Sequence, residues 1–470
     1  MVRYLQCFLM KRGLHKKRNK KKEKMSILYN MPHSKKEDIF YPLDNSAIFM
    51  AAITGASGPF VFRFYCEMDS PVVVPELQRA VDALFPRFPY FFVRLRRGVF
   101  WHYLDPVSTP PLVERELPYP CSSMPHGNDR PLLRIFAYGR RISVEFHHTV
   151  TDGTGAIAFL KALVVEYLRN LGMGSEIDDR SLIAAGIKHP REQIESGETE
   201  DSYNKYFRPT ATVPDKTKQA FLIPGRRMFF AYRETLGSMD IQQVLAKAKN
   251  YKVTLTEFLT AIHMEVLQDI YEALPNREQK KVKKVISVQV PVNLRKTYPS
   301  RTLRNFFLFV APYIDVRLGH WTFEELLRRV HHQMQLGLEE KELVRQLKRN
   351  VGGERNRFGK IVFLPIKTFV LRIINAIIGV GAYSGSISNV GIFELPDPFA
   401  SHVVRCGFIP SRARTTGANI GVLSWKNRLY IDIGSLIRDK DFERRFFSKL
   451  SSFGIDVFVL TSQEEGDFGL

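Results

Sequence analysis

The sequence is poor in cysteine, in acid and in long apolar runs. Its 470 residues hold four cysteines, Cys7, Cys66, Cys121 and Cys406, far apart and without a CxxC pair. That spacing indicates neither a disulfide framework nor a zinc site, so no metal is expected and a reducing, cytoplasmic setting fits. The most apolar stretch, IVFLPIKTFVLRIINAIIGVG from Ile361 to Gly381, is broken by Pro365, Lys367 and Arg372. It lacks the uninterrupted run of roughly 18 or more apolar residues that a transmembrane helix needs. A secretory leader puts its basic residues before its apolar ones; here YLQCFLM precedes the basic run, so none is read. No short fixed period recurs, which excludes a solenoid. The tripeptide at Asp467 to Gly469 reads DFG, but neither a glycine-rich loop nor HRD accompanies it, so it is no kinase element.

The shortage of acid leaves the chain at +21, unevenly spread. Residues 1–25 carry ten Lys/Arg against Glu23, which leaves +12 for the remainder. The tract KKRNKKKEK, Lys16 to Lys24, has the composition of a solvated, disordered arm, and residues 1–36 are read as that arm or as a misassigned start with Met25 or Met31 as the true one. No aromatic is interleaved with the charges, so no specific nucleic-acid partner is expected. What the chain does have is apolar mass: 44% hydrophobic, 12% aromatic, enough for more than one core at this length.

The pattern of that mass is α/β. PFVFRFYCEM (Pro59 to Met68) alternates as a strand, and the segment after it puts Leu77, Ala80, Val81 and Leu84 on one helical face before Pro86. PLLRIFAYGRRISVEFHH reads as a hairpin turning at Gly139, and a helix follows from Gly155 to Asn170. Residues 171 to about 225 turn polar and rich in turn formers, the best linker candidate. Strand, helix and strand recur beyond Arg226, with capping boxes at Thr254/Glu257 and Thr322/Glu325. The predicted domains are 37–175 and 226–470, joined by 176–225. The helix around Phe363 to Ile378 is expected to pack beside the C-terminal sheet, with contact to a greasy acceptor or, weakly, to a membrane surface as the other reading.

The most informative stretch is ISVEFHHTVTDGTGAIAFL, Ile142 to Leu160. Alternation places Ile142, Val144 and Phe146 inward and Ser143, Glu145 and His147 on the opposite face, while His148 keeps the inward parity where the strand ends. Asp152 is placed to cap the next helix, and Gly153 and Gly155 permit a tight turn. An imidazole at the mouth of a core suits general acid–base work, because its ordinary pKa lies near working pH. A histidine at a strand end is more often simply packed, and the chain carries its own control. HHQMQLG (His331 to Gly337) has a similar spacing but lies inside a helix, with Leu336 in the aspartate's place.

HHTVTDG, His147 to Gly153, fits HHxxxDG and resembles the chloramphenicol acetyltransferase-like superfamily. That group includes nonribosomal condensation domains, plant BAHD acyltransferases, mycobacterial polyketide-associated acyltransferases and alcohol acetyltransferases. ELQRAVDALFPRFPYFFVRL, PLLRIF, VPVNLR, TLRNFF and SISNVGIFELP extend the likeness over roughly residues 38–460, nearest the stand-alone alcohol acetyltransferase branch. The resemblance implies an α/β two-layer sandwich repeated as two subdomains, which meet as a V-shaped pseudo-dimer around a central tunnel. It implies that His148 is a general base for transfer from an acyl thioester to an alcohol or amine, without an acyl-enzyme, and that Gly153 gives room beside the oxyanion. Asp152 would pair with Arg295, and His147 would be structural. Asn293, Asn305, Ser388 and Asn389 would border the tunnel. The co-substrate would be acyl-CoA or an acyl-phosphopantetheine on a carrier protein, with no cofactor bound and the chain monomeric. BAHD's DFGWG and the nonribosomal SxAQxR are absent, and no adenylation domain is fused. The alternatives are a carrier-protein-dependent condensing enzyme and a catalytically silent binding protein of the same fold. The intact His148, Asp152 and Gly153 oppose the silent one.

Overall fold

The structure, a computed structural model, describes residues 40–55, 58–124, 130–209, 219–228, 231–355, 362–376, 381–413 and 416–461. The predicted basic arm lies outside them. Two main sheets carry the fold. The first runs in the order Val403–Ile409, Val61–Met68, Arg141–His147, Leu133–Tyr138, Glu114–Arg115. Its central pairings are antiparallel, and the predicted hairpin turns at Gly139, whose positive φ of 54° a glycine adopts without strain. The second sheet is eight-stranded. Its path is Phe307–Val310, Val285–Asn293, Gly385–Phe393, Ala418–Trp425, Arg428–Ser435, Arg233–Asp240, Val457–Thr461, with Tyr313–Asp315 also paired to Val285–Asn293. Gly385–Phe393 pairs in parallel with both neighbours, the arrangement that demands crossover helices. A small third sheet joins Tyr41–Pro42, His102–Pro106 and Val93–Arg97.

Helices cover the sheets to give the predicted layers. On the first sheet, Gly153–Asn170 packs against Val61–Met68 and Arg141–His147, with Val74–Leu84 beside it burying the predicted Leu77, Ala80, Val81 and Leu84. On the second, Leu255–Glu272 lies between Phe323–Leu338 and Asp441–Ser452. Both predicted capping boxes form: Thr254 with Glu257, and Thr322 with Glu325, each hydroxyl accepting from the glutamate's N–H while the carboxylate takes the threonine's. His331 of the control motif sits on the second of these helices, its Nδ1 3.1 Å from Glu257 Oε1.

Three expectations need correction. RNFFLFVAPYIDV, whose alternation reads as one strand, is two, because Pro312 has no N–H to give to a ladder. The helix Leu364–Ile374 packs on the helix Asn45–Ile53 instead of beside the C-terminal sheet. And the face of Arg141–His147 holding Ser143, Glu145 and His147 is as buried as the other. Glu145 is shielded there by charge pairing: Arg63 Nε donates to it at 3.0 Å, Arg134 Nη2 at 2.5 Å and the Cys121 N–H at 2.6 Å.

The strand Val403–Ile409 was not foreseen in the first sheet. It comes from the C-terminal stretch, pairs antiparallel with Val61–Met68, and sets Cys406 opposite Cys66 with the sulfurs 2.9 Å apart. It also packs across Ala418–Trp425 and Arg428–Ser435. Phe408 N–H donates to Asp432 Oδ2 at 3.0 Å, and Tyr65 OH to Asp432 Oδ1 at 3.1 Å. The crossing closes over Gly421, where a Cβ would fall on the carbonyl oxygen of Phe408. Gly421→Ala should therefore lower unfolding free energy by about 1–3 kcal/mol, the usual cost of overpacking a close contact. Urea denaturation checks this, and wild-type stability would contradict the crossing.

Candidate functional site

The predicted motif ends the strand Arg141–His147 and opens the helix Gly153–Asn170. Asp152 is the helix cap, as expected: its Oδ1 accepts from Thr154 N–H at 3.0 Å and Gly155 N–H at 3.5 Å. The carboxylate does more than cap. Arg295 Nη1 donates to Oδ2 at 2.8 Å and Nη2 to Oδ1 at 3.3 Å, a forked contact between two nearly buried side chains. Phe306 N–H adds a donor to Oδ2 at 2.9 Å. Arg295 spends two further N–H groups on the same loop, Nε on Thr302 O at 2.9 Å and Nη2 on Arg304 O at 2.5 Å, and Nη1 also reaches Asn293 Oδ1 at 3.2 Å. The predicted Asp152–Arg295 pair is thus present, and the segment Thr302–Phe306 is wrapped around it.

That segment also fastens the histidine. Asn305, buried, donates through Nδ2 to the His148 carbonyl at 2.8 Å and to Asp44 Oδ2 at 3.1 Å. Thr151 Oγ1 donates to Leu303 O at 2.5 Å. From the other side, His148 N–H donates to Phe60 O at 2.8 Å. The ring lies against Phe62, centroids 4.3 Å apart, and Phe307 at 5.9 Å. His148 stays partly exposed, while its Nδ1 is buried without a partner, and so is Asn305 Oδ1. Burial in this aromatic slot pulls its pKa down to about 4, against the opposing pull of the Asp152 charge, the Asn305 side chain and the Thr151 backbone, all of which favour the protonated ring. At neutral pH the imidazole is uncharged.

His147 is structural in its contacts. Thr149 N–H donates to its Nδ1 at 3.2 Å, so that nitrogen is an acceptor. Thr54 Oγ1 gives its own proton to Met50 O at 2.6 Å and so accepts from Nε2–H at 3.3 Å. Both nitrogens are used and the ring is fully buried.

The glycines divide their work. A Cβ on Gly153 would stand 3.2 Å from Val390 Cγ1, a tight but yielding contact. A Cβ on Gly155 would fall on Thr151 Oγ1 and Leu303 O, so Gly155 is what lets the clasping loop approach. Asn293 reaches Thr154 Oγ1 through Nδ2 at 3.2 Å, and Asn293 Oδ1 caps the turn at Arg295 N–H, 3.0 Å. Asn389 bonds elsewhere: Nδ2 to Thr256 Oγ1 at 3.1 Å, Oδ1 from Gly391 N–H at 3.0 Å. Ser388 is partly exposed on the same strand, and it is Val390 of that strand that meets the motif.

Sequence reasoning missed Asp44, Thr54, Phe60, Phe62, Thr151 and Phe307. Asp44 had a legible signal, since DNSA is an N-cap pattern and its Oδ1 does accept from Ala47 N–H at 2.9 Å. Complete burial pushes the Asp44 carboxyl up to about 6, against the lowering pull of Arg304. Among the described residues no group of three or more His, Cys, Asp or Glu is placed to hold a metal ion.

Comparison with known proteins bears on the fold. No protein-family model matches the chain, and no curated protein sequence matches it. Solved structures do. TRI101 from F. graminearum, solved with coenzyme A and T-2 mycotoxin, superposes with a TM-score of 0.57 at 10% identity, covering 89% of this chain and 99% of that one. The TRI3 trichothecene 15-O-acetyltransferase from Fusarium sporotrichioides gives 0.54 at 11%, covering 88% and 94%. The first condensation domain of the calcium-dependent antibiotic synthetase, bound to a substrate analogue, gives 0.54 at 16%, covering 88% and 95%. The chain therefore has the chloramphenicol acetyltransferase-like α/β fold.

The depressed His148 pKa has a thermodynamic consequence. Between pH 4 and 6.5 the unfolded chain binds more protons at this residue than the folded one, so its contribution to stability rises with pH across that window. The difference in Tm between wild type and His148→Gln should shift in favour of wild type from pH 4 to 6.5 and level off above. A difference independent of pH would contradict a neutral, desolvated ring.

Proposed function

We propose that the chain is an acyltransferase that moves an acyl group from a thioester to an alcohol or amine, with His148 as general base. The observation that carries this is the state of that ring: neutral, partly exposed, and fixed at the edge of an aromatic slot by contacts to its own backbone. A nitrogen in this state can take a proton at working pH and is held in one orientation. The acceptor oxygen forms a bond to the thioester carbonyl carbon as its proton passes to Nε2. The tetrahedral oxyanion then collapses, the C–S bond breaks, and the imidazolium returns the proton to the leaving thiolate. No acyl-enzyme is needed. The Asp152 charge and the Asn305 side chain both favour the charged ring, against the desolvation that opposes it. Asp152, Arg295 and Asn305 are positioning residues in this scheme. Gly153 lends its backbone N–H at the first turn of a helix, where the helix dipole favours negative charge.

Acyl-CoA is the favoured donor, supported by the likeness to TRI101, which was solved with coenzyme A, and to the acetyltransferase TRI3. A second reading, condensation on a carrier protein, is supported by the likeness to the antibiotic-synthetase condensation domain. The basic charge of the chain suits either donor, since coenzyme A and carrier proteins are both anionic.

Free-thiol release from acetyl-CoA and longer acyl-CoAs, assayed with an alcohol and amine panel, decides between them. His148→Ala should reduce kcat/KM by about 10²–10⁴-fold, the span of a lost general base. The acid limb of the wild-type profile should lie near pH 4, below the ordinary histidine range. Equal release by wild type and variant would remove His148 from the mechanism. Turnover only with a pantetheinylated carrier protein would favour the second reading.

A further inference from the structure

The helix Leu364–Ile374 is amphipathic the wrong way round for a protein in water. Its polar positions face the molecule. Lys367 Nζ lies 3.3 Å from the centre of the Trp101 ring and donates to Phe100 O at 3.0 Å, and Asn375, just past the helix, is buried. Thr368 lines a small pocket with Ile48, Ala52 and Trp101. The outward face is apolar: Phe363, Ile366, Phe369, Val370, Ile373 and Ile374 are all exposed, Phe369 by 65% and Ile366 by 55%. They recur at three- and four-residue spacing, one continuous stripe.

The stripe is held firmly in place. Leu364 N–H donates to Val99 O at 3.0 Å at the start of the helix, and Arg372 Nε to Ala52 O at 3.0 Å near its end. Folding thus keeps a large apolar surface facing out, which a monomer in water rarely does. Charge says what covers it. From Arg355 to Phe393 the sequence holds Arg355, Arg357, Lys360, Lys367 and Arg372 and no Asp or Glu, within a chain of net charge +21. A second copy would bring together two chains of the same strong positive charge. A bilayer with anionic headgroups offers hydrocarbon to the stripe and counter-charge to so basic a chain.

We infer that the Phe363–Ile374 face docks the protein on an anionic membrane surface. The helix is a peripheral anchor and does not span: among the described residues none is long and apolar enough to cross a bilayer. Docking stands apart from the acyl-transfer reading and is tested without an activity assay.

Flotation of the full chain with phosphatidylcholine vesicles, with and without phosphatidylserine, reads it. Wild type should float with the phosphatidylserine vesicles, and Ile366→Ser/Phe369→Ser/Val370→Ser should bind at least ~10-fold more weakly with an unchanged far-UV spectrum. Phe369→Trp should shift to shorter-wavelength emission on binding and be quenched by brominated lipid. Equal flotation of wild type and the triple variant would assign binding to the N-terminal basic arm and overturn the inference. So would an unquenched Phe369→Trp, or vesicle-free self-association that the triple variant abolishes.

Discussion

A single carboxylate sits where the chain's distant segments converge. Asp152 accepts from the first turn of its own helix, from both arms of the Arg295 guanidinium and from the backbone of Phe306. A buried charge is tolerable only when fully paired, and here its partners come from segments more than 140 residues apart. The arrangement makes the helix start, the strand end carrying His148 and the Thr302–Phe306 loop one rigid body. His148 Nδ1 has no hydrogen-bond partner among the described residues, yet the residue's main chain is tied at both N–H and C=O.

The surrounding fold supports that convergence. Val403–Ile409 completes the first sheet with a strand drawn from the far end of the sequence. The polar stretch between the predicted domains is tied down rather than slack. Glu198, buried, receives both arms of Arg87, 2.6 and 2.8 Å, and Tyr203 OH donates to Phe307 O at 2.7 Å. Thr302 Oγ1 donates to Glu200 O at 2.8 Å, so the strap holds the same loop that holds the motif.

Much of this was legible locally. The hairpin at Gly139, the strand Val61–Met68, the helix after Asp152 and both capping boxes follow from alternation, cap chemistry and glycine placement. The Asp152–Arg295 pair came from resemblance, since nothing in the residues themselves says which arginine meets which aspartate. What failed was non-local or unpatterned. Asn45–Ile53 is apolar almost throughout, so it has no period to detect. Val403–Ile409 reads as a strand, but its partner lies some 340 residues away in sequence, and a strand's own pattern does not name its neighbour. Glu198 looked like solvated linker because composition cannot register an ion pair. Gly155, rather than Gly153, proved the stricter steric requirement, since the loop that presses on it arrives from the other half.

The central claim is that Asp152 and Arg295 act as one unit across the two halves, and a double-mutant cycle measures that directly. Asp152→Ala and Arg295→Ala should each cost about 3–5 kcal/mol in urea unfolding, because each strands its partner's charge in a nearly dry site. The double variant should cost less than the two together by a coupling of about 0.5–3 kcal/mol. Costs that add to within about 0.5 kcal/mol would mean the two side chains act independently, and would contradict the account.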